Sequence, residues 1–183
     1  MRIVVTRMPP PPNAPDGILT LINEGTVDGL QMVGSMGATE VKKSIYSSRP
    51  RPPIDTSAMK NQQVWELMSG NMGVRIGPTP DVLTRTVVME HGRRPGARRP
   101  PIDAIERWVH RKGLADGFSK QGRRRKKKGQ ANRERGIAFA IARSIAKKGI
   151  KARRFYARAA PRIAKAAAGI LNAAIGRRLK GAE

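Results

Sequence analysis

The side chains able to carry metal or nucleophile chemistry are few: two histidines, His91 and His110, and no cysteine. Glu90 and Glu106 stand near them in the chain, but no ligand spacing recurs, so each histidine reads as a polar surface or interface residue. Asp55-Thr56-Ser57 sets a carboxylate beside two hydroxyls. A turn accounts for that cluster, because such side chains bond backbone donors two residues on. Gly70, Gly73 and Gly77 lack the directly following helix that a nucleotide-binding loop needs. No set of nucleophile, base and orienting group can be assembled. The expectation is a protein with no catalytic residue, no metal ligand and no cofactor.

What the chain offers instead is positive charge. Thirty-seven Lys and Arg face 13 Asp and Glu, for a formal net charge of +24. A domain that repels itself this strongly needs a polyanion or acidic partners nearby. The sharpest feature is the run Arg123, Arg124, Arg125, Lys126, Lys127 and Lys128. Six consecutive cations repel one another until an anion neutralises them. The run suits contact with DNA phosphates through counterion release, docking on acidic patches of a neighbouring protein, or plain solvation. A second cluster, Arg93, Arg94, Arg98 and Arg99, lies in a loop with prolines and a glycine. Such a loop can grip carboxylates at a subunit interface or face DNA, and the interface reading is preferred.

The elements that position these residues follow from pattern. A short strand is expected over residues 3–6, then a polyproline spacer at Pro9, Pro10, Pro11 and Pro12, then a turn at Pro15-Asp16-Gly17. A first long helix is expected over 26–48, with Thr26 as its N-cap and Asp28 near its positive end. Its apolar face is Val27, Leu30, Val33, Gly37, Val41 and Ile45. Gly29, Gly34 and Gly37 weaken that helix unless they permit close packing on a sheet. Residues 62–91 read as a β-meander with strands at 63–68, 73–76 and 85–90. A second helix is expected over 101–112 with Gly113 just past its end, a third over 132–148 with Asn132 as N-cap, and a fourth over 161–179. The fourth carries Ile163, Ala167, Ile170, Leu171, Ala174 and Ile175 on one side. It suits a membrane surface, nucleic acid or protein packing, and its small residues favour packing against protein. No segment approaches the ~20 apolar residues of a membrane helix, and the N-terminal apolar run is too short for a signal-peptide core. The expected organisation is an arm over 1–25, an α+β core over 26–113, a basic loop over 114–131 and a helical region over 132–183.

Five segments, in order, carry a resemblance. They are Arg51-Pro-Pro-Ile-Asp-Thr-Ser57, Met72-Gly-Val-Arg-Ile-Gly-Pro-Thr79, Val87-Val-Met-Glu-His-Gly-Arg-Arg-Pro-Gly96, Pro100-Pro-Ile-Asp-Ala-Ile-Glu-Arg-Trp-Val109, and the late Gly149-Ile-Lys-Ala-Arg-Arg-Phe155. Read together over about residues 26–175, this order resembles the head–tail joining and tail-completion proteins of long-tailed bacteriophages. Ser57 stands where that family commonly has glycine, and His91 where an aromatic is common. The resemblance implies an α+β subunit, with a long N-terminal helix packed on a small antiparallel sheet and additional C-terminal helices. It implies a structural role in the virion neck, as connector, tail-completion or tail-terminator subunit, made in the host cytoplasm. The partners it implies are a homo-oligomeric ring, six-fold or twelve-fold, neighbouring neck or tail proteins, and the viral DNA through non-specific phosphate contacts. Composition alone supports equally a general nucleic-acid-binding protein of the ribosome or nucleoid, although aromatics are not interleaved with the basic runs. A DNA-processing enzyme is disfavoured, because Asp103 and Glu106 share one basic helix without a metal-binding set.

Overall fold

The computed structural model describes residues 2–6, 15–48, 57–71, 73–115 and 129–181. The chain divides into two compact units, Met1–His91 with Arg153–Glu183, and Gly92–Ala152.

In the first unit, strand β1 (Ile3–Thr6) precedes a 31-residue helix, α1 (Asp16–Tyr46). That helix begins ten residues before the expected start at Thr26. Pro15 stands at its N-cap with φ −54° and ψ 144°, its carbonyl accepts the Leu19 amide at 3.0 Å, and Asp16 occupies the positive first turn. The expected turn at Pro15-Asp16-Gly17 is therefore a helix start, where proline and glycine cost little because first-turn amides have no intrahelical partner. Thr26 is no cap. It is buried mid-helix and donates its hydroxyl to Ile22 O at 2.6 Å. Asp28 likewise lies mid-helix. The second half of the supposed arm is thus α1, and its beginning is a sheet strand.

A short turn of helix, α2 (Ala58–Asn61), leads into β2 (Gln63–Leu67), a 3₁₀ turn at Ser69–Asn71 and β3 (Gly73–Pro78). The sheet is antiparallel in the order β1-β3-β2, with Ile3 opposite Ile76 and Trp65 opposite Ile76. The expected strand at 85–90 is instead part of helix α3 (Pro80–His91). The β-branched Thr86-Val87-Val88 suggested a strand, but Pro80 at the first helical position and Asp81 behind it favour a helix start. Val82, Thr86 and Glu90, spaced by four, are the buried residues, which is a helical period. β1 supplies the third strand, so the sheet is no meander.

Helix α6 (Phe155–Lys180) completes the unit and packs along α1. It begins six residues before the expected Pro161. A proline inside a helix leaves the carbonyl four residues back without its donor. Here that carbonyl belongs to Ala157, which is exposed, so water can serve it. Leu30, Val33, Val41 and Ile45 of α1 bury with Val74 and Ile76 of β3 and with Phe155, Tyr156 and Ile163 of α6. The Phe155 and Tyr156 rings lie tilted at 5.3 Å, so two of the few aromatics are spent at the centre. Gly34 of α1 lies so close to the sheet that a Cβ there would sit 2.6 Å from the Trp65 indole. On the α6 side, a Cβ at Gly25 would sit 2.7 Å from Ile175 Cα. The expected packing of the α1 glycines on a sheet holds for Gly34 and Gly37, whereas Gly29 meets α6.

In the second unit, α4 (Ile102–Arg111) packs on α5 (Gln130–Lys148). α4 matches the expected helix within a residue at each end, with Gly113 at φ +59° just past it. Pro101 serves as its N-cap. α5 begins two residues earlier than expected, capped by Gly129 at φ +78°, and Asn132 sits inside the first turn. A bridge ties the two ends of the unit together: Arg93 N donates to Ile150 O at 2.7 Å and Ile150 N to Arg93 O at 2.8 Å.

Candidate interface surfaces

The four loop arginines divide by what the bridge does to them. Arg93 is half-buried, with its backbone held against Ile150. Arg94 and Arg98 are exposed. The loop is pinned a second time where Gly96 N donates to Ala146 O at 2.8 Å, so α5 and the loop form one frame. On that frame the Arg99 guanidinium lies 5.1 Å from the ring centroid of Phe139 on α5. A cation over an aromatic face is attracted by the ring quadrupole. The structure thus brings one of the four arginines onto an aromatic side chain that sequence reasoning passed over.

Phe139 went unnoticed because the other face of α5 carries the stronger apolar signal. Ala138 and Ala142 are buried there, with Ile137, Ile141 and Ile145 partly buried. Phe139, Arg143 and Lys147 recur every four residues on a different stripe, and that spacing was the available clue. Phe139 is 42% exposed. It lines an open groove of about 380 Å³ with Gly136, Ala140, Arg143, Lys147 and Lys148.

The six-cation run, Arg123 to Lys128, lies outside the described residues, as do the polyproline spacer at Pro9 to Pro12 and Asp55-Thr56. Ser57 is described and adopts φ +60°, the left-handed conformation that glycine takes without strain.

His91 is exposed at the end of α3. His110 reaches α5, where its Nδ1 lies 2.9 Å from Glu134 Oε1. Gln130 Nε2 donates to the same oxygen at 3.0 Å. The His110 hydrogen bond holds the Glu134 carboxyl below the usual carboxylate range, against the opposing effect of burial. Among the described residues no group of three His, Cys, Asp or Glu could hold a metal ion. Among them, too, no helix is long and apolar enough to cross a membrane.

Most described acids are already engaged. Glu40 pairs with Lys43 at 2.8 Å and Arg162 at 3.5 Å, and Glu66 with Arg75 at 3.1 Å. Arg178 takes both Glu24 at 3.3 Å and Asp28 at 2.7 Å, and Glu106 meets Arg135 at 3.8 Å. Glu90, 2% exposed, accepts the Tyr156 and Ala157 amides at 3.0 and 3.1 Å and so caps α6 from a distant helix. Beside it, buried Gln63 donates to Met59 O and accepts the Tyr156 hydroxyl. Burial, reinforced by the Glu90 charge, pushes the Tyr156 phenol far above its ordinary value. These buried polar groups hold the fold together; with their partners made inside the unit, they present nothing to a ligand.

The chain matches no known protein-family model, no curated protein and no solved structure.

Proposed function

We propose that this protein is a structural subunit of a tailed-phage neck, a connector, tail-completion or tail-terminator component that assembles as a ring around the DNA path and works without catalysis. The ordered motifs support that reading through their resemblance to such proteins. The α+β arrangement, a long helix packed on a small antiparallel sheet with further C-terminal helices, is what that resemblance implies.

The observation that carries the reading is the unneutralised charge. With 37 basic and 13 acidic side chains, and most described acids already paired or capping, the surplus cations find neutralisation only outside the chain. A ring around a duplex supplies it, because every subunit then meets phosphates whatever the sequence. Rings need a heterologous contact whose rotation closes, and self-repulsion opposes that contact until an anion is present.

The test is electron microscopy and mass photometry of the full chain with random-sequence duplex DNA, titrated with salt. Closed rings of one defined stoichiometry should form on duplex at low salt and be sparse without it. The affinity should fall with a log–log salt slope of about −0.9 per phosphate neutralised. DNA binding with no defined oligomer would instead favour a general nucleic-acid-binding protein. A monomer indifferent to DNA would overturn both.

A further inference from the structure

We propose that the open face of α5 is a docking groove for an acidic segment of a different protein, which inserts one apolar side chain beside Phe139. This goes beyond the ring around DNA and does not depend on it.

The groove has a built character. Gly136, Phe139, Ala140, Arg143 and Lys147 fall at helical spacing on one stripe, and Lys148 ends it. From 136 to 148 the stripe runs about 18 Å at 1.5 Å per residue. Gly136 has no neighbour within 4 Å of where a Cβ would stand, so the floor is open to an incoming side chain. Phe139 presents a large apolar surface at 42% exposure, and Arg99 orients its ring. Exposed aromatics fixed in place beside small residues are the type of anchor on which binding energy concentrates. Among the described residues, Arg143, Lys147 and Lys148 have no carboxylate partner. The occupant must therefore be apolar at one end of the stripe and anionic at the other.

The described residues of a second copy do not meet that requirement. Its exposed acidic pair, Glu24 and Asp28, already holds Arg178, and Arg177 lies beside it on Met32. Glu40, Glu66 and Glu106 are matched by cations, and Glu90 and Glu134 are buried. Asp16, Asp81 and Asp103 stand singly in the first turns of three separate helices. The described groove lined by Glu24, Val27 and Asp28 is apolar as well as acidic, but Arg178 already takes both of its carboxylates. Duplex DNA fits the cations but not the floor, since a phosphate backbone brings nothing apolar to cover Phe139. An acidic protein segment satisfies both, with carboxylates on Arg143, Lys147 and Lys148 and one aliphatic or aromatic side chain over Gly136 and Ala140. About twelve residues of helix, or five or six of extended chain, cover the stripe.

The experiment is selection of a random twelve-residue peptide library on the full-length protein at about 0.15 M salt, followed by anisotropy titration of the enriched peptides and of a random 20-base-pair duplex. Enriched peptides should carry two or more Asp or Glu beside a single large apolar residue. Phe139→Ala should weaken the peptide at least tenfold while changing duplex affinity less than twofold. Ala140→Asp, at an exposed helical position, should block the peptide equally and guards against a fold effect at residue 139. Lys165→Ser on α6 should leave peptide affinity within twofold. Circular dichroism checks that each variant keeps its helices. The proposal is overturned if no peptide enriches, if enriched peptides lack the apolar residue, or if both groove variants bind as the parent does. It is also overturned if Phe139→Ala weakens duplex and peptide alike, because the groove would then be a nucleic-acid site. Ring formation on DNA is read separately, so its failure leaves this result standing.

Discussion

Glu90 holds the start of α6 from 66 residues earlier in the chain, and its removal should be among the most damaging single changes. Both carboxylate oxygens are used, one by the Tyr156 amide at 3.0 Å and the other by the Ala157 amide at 3.1 Å. At 2% exposure the side chain is shut off from water, and so is the Tyr156 backbone amide. Hydrogen bonds to a charged group contribute ~1.5–3 kcal/mol each, and a carboxylate at a helix N-terminus adds ~0.3–1 kcal/mol. Glu90→Ala removes both acceptors, strands a buried donor and leaves a small void, so the loss should be at least about 3 kcal/mol. Glu90→Gln keeps the shape and one acceptor oxygen while losing the charge, so its loss should be about 1–2 kcal/mol. Urea unfolding followed by circular dichroism measures both, at fixed salt and with slopes compared so that midpoint shifts report stability. The reasoning fails if Glu90→Ala costs under about 1 kcal/mol, or if the glutamine variant is as unstable as the alanine one.

Glu134 makes stability depend on acid. Its carboxyl is held below its ordinary value in the folded state, so its contribution is complete above the usual carboxylate range and is lost as pH falls through the lowered folded value. The urea midpoint of the parent should therefore drop faster on acidification than that of Glu134→Gln, and parallel curves would refute the assignment. Glycine-to-alanine changes should take opposite signs on facing helices. Gly169→Ala on α6, with nothing within 4 Å, should gain up to ~1 kcal/mol from helix propensity. Gly25→Ala, which would press on Ile175 backbone, should lose about 1–2 kcal/mol, and equal signs in thermal melts would contradict the packing. Ser57→Gly relieves a left-handed serine at φ +60° and should be neutral to stabilising by ~1 kcal/mol in the same melts. Finally, the melting temperature should rise by several degrees between about 0.02 and 0.5 M salt, where a fall would contradict self-repulsion.

What the chain betrayed in advance was periodic and local. The α1 face of Leu30, Val33, Val41 and Ile45 is buried as its spacing indicates, and α4 ends where Gly113 punctuates it. Misreadings arose where a partner far along the chain decides the outcome. α6 starts before Pro161 because Glu90 supplies the acceptors its first turn lacks, and no local residue announces that cap. The stretch at 85–90 has β-branched residues but folds as a helix, since burial every fourth residue outweighs a small propensity. β1 was visible as a strand, but its place beside β3 was not, since pairing across some 70 residues leaves no short-range mark. Among the surfaces, the arginines were legible by type alone. That Arg99 lies on Phe139 depends on the loop being pinned at Arg93 and Gly96, a tertiary fact.

The salt dependence follows from where the acids are placed. Ion pairs such as Glu66–Arg75 and Glu24–Arg178 are largely exposed, and exposed pairs are worth ~0–1 kcal/mol. Salt weakens these attractions, and on their account alone stability would fall. The repulsion runs the other way and over longer range. At about 0.01 M salt the screening length is ~30 Å, so each surplus cation interacts with many others; near 0.15 M it is ~8 Å and most of that repulsion is gone. A few short attractions therefore compete with a formal surplus of +24, and the surplus should win. The buried acids do not alter this balance, because Glu90 bonds backbone amides within its own unit and is screened little by salt. The best-protected carboxylate is spent on the fold, and Arg143, Lys147 and Lys148 of α5 have no carboxylate partner among the described residues, so added salt relieves more repulsion than it removes attraction.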